Sequence, residues 1–191
     1  MNKYVVIILF FGLIGCTERP ESYREWVIEN YTESVQTKTL EVQALYRPPI
    51  YLALEEVDFQ VSDKELLMRR TEELKNTVAF TMEVSSLDQS DWVVKGATSQ
   101  TEKEQRLYYL SYQLINDIHL LVNGKVYPCD FLHFERTYNL KKGSRKFILV
   151  FEIDSELKVE DKVKLSLRSD LLSRKGVDLQ YQIKETQELE L

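Results

Sequence analysis

Few residues in this chain have the type and spacing that chemistry requires. There are two cysteines, Cys16 and Cys129, and two histidines, His119 and His133. His133 and Glu135 lie two apart, on one face of a strand, as a metal pair would. A zinc site needs three or four Cys, His or carboxylate ligands in close array, and nothing at nearby spacing completes this one. Asp88, Ser90 and Asp91 could offer oxygens to calcium, yet the run lacks the Gly at position six and the closing Glu at twelve of an EF-hand loop. Both groups are therefore read as ordinary side chains, with no metal and no cofactor expected. No Gly-x-Ser-x-Gly elbow, Gly-x-Gly-x-x-Gly turn or Walker-type loop occurs, so no catalytic residue is assigned. Tyr108, Tyr109 and Tyr112 are a different kind of candidate. Tyrosine joins an apolar body to a polar tip, which suits contact surfaces, so these three mark a possible interaction surface, with a place in the core, beside Leu110 and Leu114, as the competing reading.

Cys16 acquires its meaning from what precedes it. One cation, Lys3, is followed by the nearly continuous apolar run Tyr4–Ile14, which closes on Leu13-Ile14-Gly15-Cys16. A cationic start, an apolar stretch of about 7–15 residues and small residues at the cut are the layout of a secretory signal. The run is shorter than the roughly 20 apolar residues needed to span a bilayer. Leu-Ile-Gly-Cys resembles the lipobox of bacterial lipoproteins. The resemblance implies cleavage before Cys16, diacylglycerol on its sulfur and acylation of its new amine. Several chains, each contributing about 0.8 kcal/mol per buried CH₂, hold a protein on a membrane where a single chain does not. Thr17 stands where aspartate retains some bacterial lipoproteins in the inner membrane, so an outer-membrane location is implied, facing either the periplasm or the medium. His133–Tyr138, with Tyr23-Arg24-Glu25-Trp26 and Tyr46-Arg47-Pro48-Pro49, further resembles uncharacterised small lipoproteins of the Bacteroidota kind.

Charge narrows the partners. The formal net charge is −6, and loss of Lys3 with residues 1–15 would make it −7. Such a surface does not attract phosphate backbones, so no nucleic-acid partner is expected. With Cys16 lipidated, Cys129 has no internal partner and the domain must stand on packing alone. Eleven Tyr and eight Phe against six Gly and four Pro give it the means to do so.

These residues must be positioned by recognisable elements. The expected organisation is a signal over 1–15, a lipidated tether over 16–20 and one domain over 21–191. Tyr23, Trp26, Val27 and Tyr31 recur at helical spacing. Alternation then predicts strands over Leu40–Tyr46, Ile50–Leu54, Val78–Val84, Val163–Leu167 and Val177–Ile183, with a bend after Glu55-Glu56. Ser62-Asp63-Lys64-Glu65 reads as a capping box opening a helix to about Lys75. Ser85–Thr101 reads as a long loop. Arg106–Ile115 reads as a strand that places Tyr108, Leu110, Tyr112 and Leu114 on one face. Asn123-Gly124 signals a type I′ hairpin after Asp117–Val122. Phe131–Tyr138 resumes the strands, Lys146–Ile153 is apolar enough to be central, and Lys184–Leu191 is a polar tail. Many short strands joined by turns predict a mostly β fold. The expected architecture is an antiparallel β-sandwich, immunoglobulin-like or similar, with one or two short helices, and a small barrel is the alternative.

The expected function is that of a lipid-anchored envelope protein without catalysis, held to the membrane through Cys16 and acting as an interaction or accessory subunit for another envelope protein. A ligand- or glycan-binding module is the alternative reading, and an enzyme whose carboxylates converge only in the fold is the third. Cys16→Ser should move the protein out of the membrane fraction on flotation; a variant that still floats with lipid overturns the lipobox reading.

Overall fold

Alternating apolar side chains build both walls of the core. The fold comes from a computed structural model that describes residues 20–135 and 143–185. Cys16, the segment before it, residues 136–142 and residues 186–191 lie outside these, so the lipobox and the second half of the His133–Tyr138 hexapeptide fall outside the described residues.

Among the described residues nine strands form two antiparallel sheets. The strands are β1 (Thr32–Gln36), β2 (Leu40–Arg47), β3 (Thr77–Ser86), β4 (Ile118–Val122), β5 (Lys125–Pro128), β6 (Phe131–Phe134), β7 (Ser144–Glu152), β8 (Lys162–Leu167) and β9 (Val177–Gln182). The first sheet has the order β1-β2-β3-β7-β6 and the second β5-β4-β8-β9. Register pairs Tyr46 with Phe80 and Phe80 with Leu149 across the centre of the first sheet. Inward residues of both sheets meet in one core, which holds Val42, Phe80, Phe147, Leu120, Leu165 and Leu179. The Phe80 and Tyr181 rings lie 5.3 Å apart across it. The Tyr181 hydroxyl donates to the Ala44 carbonyl at 2.8 Å. The molecule is therefore an antiparallel β-sandwich, and among the described residues the two sheets do not close into a barrel.

The hairpin forms as expected. Asn123 (φ 49°) and Gly124 (φ 89°) both take the left-handed backbone that a type I′ turn requires. β7 is central, with β3 on one side and β6 on the other.

Helical content exceeds the one or two short helices expected. α1 (Pro20–Tyr31) begins at Pro20, which the sequence assigned to the tether. α2 (Pro49–Glu56) replaces the strand expected over Ile50–Leu54. Pro49 sits in the first turn, where its missing N–H costs nothing and its fixed φ suits a helix. Tyr51 and Leu54, three apart, are buried, which is helical spacing. The phase change at Glu55-Glu56 is the end of this helix rather than a strand bend. Asp58 (φ 51°) and Phe59 (φ 57°) then turn the chain back. That turn lays the Phe59 ring 5.3 Å from Tyr51 and beneath the Arg24 guanidinium. α3 (Lys64–Glu73) forms where the capping box predicted it, with Asp63 as the capping residue accepting from the Leu66 N–H at 3.0 Å.

Arg106–Ile115 is the second overturned strand. It is helical throughout: α4 (Gln100–Tyr108) runs into a π-helical turn over Tyr109–Gln113 and a 3₁₀ turn over Leu114–Asp117. Leu110 and Leu114, four apart, are buried, while Tyr108 and Tyr112, also four apart, point outward. These four residues therefore do not share a face. The Ser85–Thr101 loop is shorter than expected at both ends, because β3 runs to Ser86 and α4 starts at Gln100. The Trp92 indole, buried, donates to the Val84 carbonyl at 3.0 Å and pins the loop to β3.

Two tyrosines make a paired test of hydrogen bonding in this core. The Tyr23 hydroxyl is buried without a partner among the described residues, whereas that of Tyr181 bridges the sheets. Tyr181→Phe should cost about 1 kcal/mol, and Tyr23→Phe should be neutral or stabilising by up to about 1 kcal/mol. Urea unfolding measures both; loss of stability in Tyr23→Phe equal to that in Tyr181→Phe contradicts the assignment.

Candidate binding cleft

The helical segment from Gln100 to Asp117 builds one wall of a broad cleft of about 1100 Å³. The opposite wall is the chain leaving β8, at Arg168, Asp170 and Leu171. Ser99 caps α4, accepting from the Glu102 N–H at 3.1 Å, and the Glu102 carboxylate reaches back to the Thr98 N–H at 2.7 Å. This Ser-x-x-Glu pattern was present in the sequence and is the signal that would have identified the helix.

Tyr109 joins the two walls. Its hydroxyl donates to Asp117 Oδ2 at 2.6 Å and lies 2.7 Å from Ser169 Oγ. A phenol has one proton to give, so the Ser169 hydroxyl donates in return to the phenol oxygen. Burial, reinforced by the bond to the Asp117 carboxylate, pushes the Tyr109 hydroxyl up to about 12. Tyr109 is thus a brace. It clamps the π-helical turn, a form frequent at functional sites, onto the second sheet.

The other two sequence candidates face outward. Tyr108 is 57% exposed and Tyr112 60% exposed, with ring centroids 5.1 Å apart and planes inclined at 46°. Tyr108 lines the cleft. The structure therefore brings the three tyrosines together but divides their roles between rim and brace.

Both arginines in the lining are engaged. Arg106 pairs with Glu102 at 2.6 Å and donates to the Val93 and Lys95 carbonyls. Arg168 holds Asp178 through bonds of 2.8 and 3.0 Å. The guanidinium lies against Gly176 (φ 75°), where a Cβ would come within 2.2 Å of Nη1. Carboxylates remain: Glu104 accepts only a Gln100 amide N–H, and Asp170 has no bonded partner among the described residues.

The remaining sequence candidates serve the fold. Asp88 is bound by the Lys95 ammonium and by the Ser86 and Ser90 hydroxyls, and the ammonium above all holds its carboxyl well below the usual range. Asp91 pairs in two places with the buried Arg145, whose guanidinium lies 5.8 Å from the Phe134 ring centroid. Removing one partner of such a buried pair is expensive because the other charge is left unmatched. Glu135 pairs with Lys146 at 3.4 Å, and His133 is exposed opposite Ile148. Among the described residues no three His, Cys, Asp or Glu side chains gather for a metal ion. The Cys129 thiol is buried and directed at the Phe131 and Val150 carbonyls, and burial pushes it up to about 11, which keeps it protonated and inert. No helix among the described residues is long and apolar enough to cross a membrane.

The chain is an antiparallel β-sandwich carrying an open cleft with exposed tyrosine on its wall. No family model matches it, and no curated protein does. Two solved structures are similar to it in part. One is a DUF4426 family protein from Pseudomonas aeruginosa PAO1, with 11% identity, covering 82% of this chain and 97% of that one, at a TM-score of 0.31. Another is a protein of unknown function from Burkholderia pseudomallei K96243, with 10% identity, 84% and 81% coverage, and a TM-score of 0.38. Likeness at this level says nothing further about this chain.

Because Tyr109 keeps its proton in the folded protein up to about pH 12, whereas an unfolded tyrosine loses it near 10, its contribution to stability holds below pH 10 and falls between the two. Tyr109→Phe should cost about 1 kcal/mol at neutral pH and make stability less steeply pH-dependent in that window. Urea unfolding at pH 8 to 11.5 is the check; an unchanged slope contradicts the brace.

Proposed function

We propose that this is a lipid-anchored protein of the bacterial cell envelope, without catalysis of its own, that binds another envelope component in the cleft between α4 and the chain after β8. The single observation carrying the reading is that cleft: about 1100 Å³, open, with Tyr108 on its wall and Tyr112 beside it. Exposed tyrosines are enriched where proteins meet partners, because they offer a large contact area at small conformational cost. Cys16 supplies the attachment, with the outer membrane as its site. The domain faces the periplasm or the medium, and the short chain between Cys16 and α1, at most about 14 Å when extended, keeps the domain near the lipid surface.

The inclined Tyr108–Tyr112 pair also favours a second reading, a ligand- or glycan-binding module, since sugar faces stack on such rings. One experiment addresses both. A photo-activatable amino acid replaces Tyr108 in the native, anchored protein, and another replaces the exposed Val159 as a control site. Mass spectrometry of the adducts should show one reproducible envelope protein at position 108, absent at 159 and lost with Cys16→Ser. A glycan adduct would replace the first reading by the second; equal labelling at both positions overturns the cleft as a binding site.

A further inference from the structure

The charges of the cleft specify its ligand more narrowly than the tyrosines do. We infer that it recognises positively charged side chains, those of an extended, Lys- or Arg-bearing segment of the partner protein. This rests on the cleft being the binding surface proposed above.

The lining holds Glu102, Glu104, Asp117 and Asp170 against Arg106 and Arg168. Both arginines are matched by carboxylates, Glu102 inside the lining and Asp178 beyond it. What remains uncompensated is negative: Glu104, Asp117 and Asp170. Glu104 and Asp170 are exposed, so their carboxylates are available to a ligand from solvent. A phosphate or an acidic glycan would meet these carboxylates with no unpaired cation among the lining residues to offset them. A lysine or arginine head would meet opposite charge, and its stem could lie along the Tyr108 ring, where cation–π attraction adds to the ion pair.

Shape argues for a chain rather than a small molecule. Pockets for small ligands are mostly apolar, of about 300–1,000 Å³, and bury most of the ligand. This cleft is slightly larger and open to solvent along its length, and its lining sets charged tips beside apolar ring and stem surface. A peptide crossing it would present successive side chains to Glu104 on one wall and Asp170 on the other. The net charge of −6 would steer such a segment inward over the distance that salt allows.

The test uses the full chain in nanodiscs of neutral phosphatidylcholine, with fluorescein-labelled octalysine and octaglutamate peptides read by fluorescence anisotropy. Octalysine should bind and octaglutamate should not, with affinity falling as salt rises. Glu104→Gln with Asp170→Asn should weaken octalysine binding about ten-fold or more, and Tyr108→Ala about two- to five-fold. Glu25→Gln with Glu29→Gln removes the same charge from the exposed surface of α1 and should leave the affinity within about two-fold. Asp170→Lys, which reverses charge at an exposed position, should abolish binding while circular dichroism reports an intact fold.

Absence of octalysine binding, or equal weakening by the cleft pair and the α1 pair, overturns the inference. If Tyr108 still cross-links an envelope component in that case, the cleft binds a ligand that is not cationic, and only the ligand class falls. If neither octalysine nor a cross-link is found, both readings fall.

Discussion

One side chain crosses between the two sheets and ties one to the backbone of the other. Tyr181 leaves β9, passes its ring beside Phe80 and Tyr46, and ends on the Ala44 carbonyl in the opposite sheet. Around it runs a chain of aromatic contacts from Tyr23 through Trp26, Tyr31, Tyr46 and Phe80 to Phe151, each centroid separation between 5.1 and 6.0 Å. Edge-to-face and tilted rings hold geometry as well as area, which aliphatic packing alone does less well. Tyr31 closes the arrangement: its hydroxyl accepts from the Lys184 N–H at 3.0 Å, tying α1 to the chain leaving β9. Among the described residues Cys129 is a free thiol and no disulfide joins these elements, so this aromatic seam supplies the restraint that a cross-link does in other folds.

Burial of so many phenols has a consequence for acid–base behaviour. Desolvation raises Tyr23, Tyr46 and Tyr181 far above their ordinary value, because a tyrosinate would have to exist in the apolar core. The same chemistry that gives the core its specificity therefore makes it sensitive to alkali. Tyr109 belongs to this set in its chemistry but not in its place, since it sits between core and cleft and couples the packing of the second sheet to the shape of the surface.

The cleft depends on the sandwich in a plain geometric sense. Asp117 and Ser169 lie at the strand ends on which Tyr109 closes: Asp117 immediately precedes β4, and Ser169 follows β8. Ladder pairing of β4 with β8 sets Ile118 opposite Leu167 and so brings the two partners of Tyr109 together. The Arg168 N–H also donates to the Asp117 carbonyl at 2.8 Å, extending that ladder by one step to the rim. The outward pair Tyr108 and Tyr112 follows from the inward pair Leu110 and Leu114, because burying one face of a helical turn exposes the other.

Period-two alternation in β2, β3, β8 and β9, and the Asn123-Gly124 turn, were legible because they are local: each is dictated by backbone sterics and by which face must leave water. The helix at Asp63 was legible through its cap. Two segments were misread as strands for the same reason. In Ile50–Leu54 and Arg106–Ile115 the apolar residues are dense enough to satisfy either period, so that burial, not sequence, selects between them. Pro49 and the Ser99-Glu102 cap were the available local signals. The amino-acid sequence by itself determined the β-rich class and offered the tyrosine cluster as a surface candidate. Only the tertiary structure decided that Tyr109 braces while Tyr108 lines a cleft, that Asp88 and Asp91 hold the protein's own Lys95 and Arg145, and that Glu104 and Asp170 line one cleft. These are pairings between residues up to dozens of positions apart, and no local rule of sterics or periodicity encodes which distant charge a carboxylate will meet.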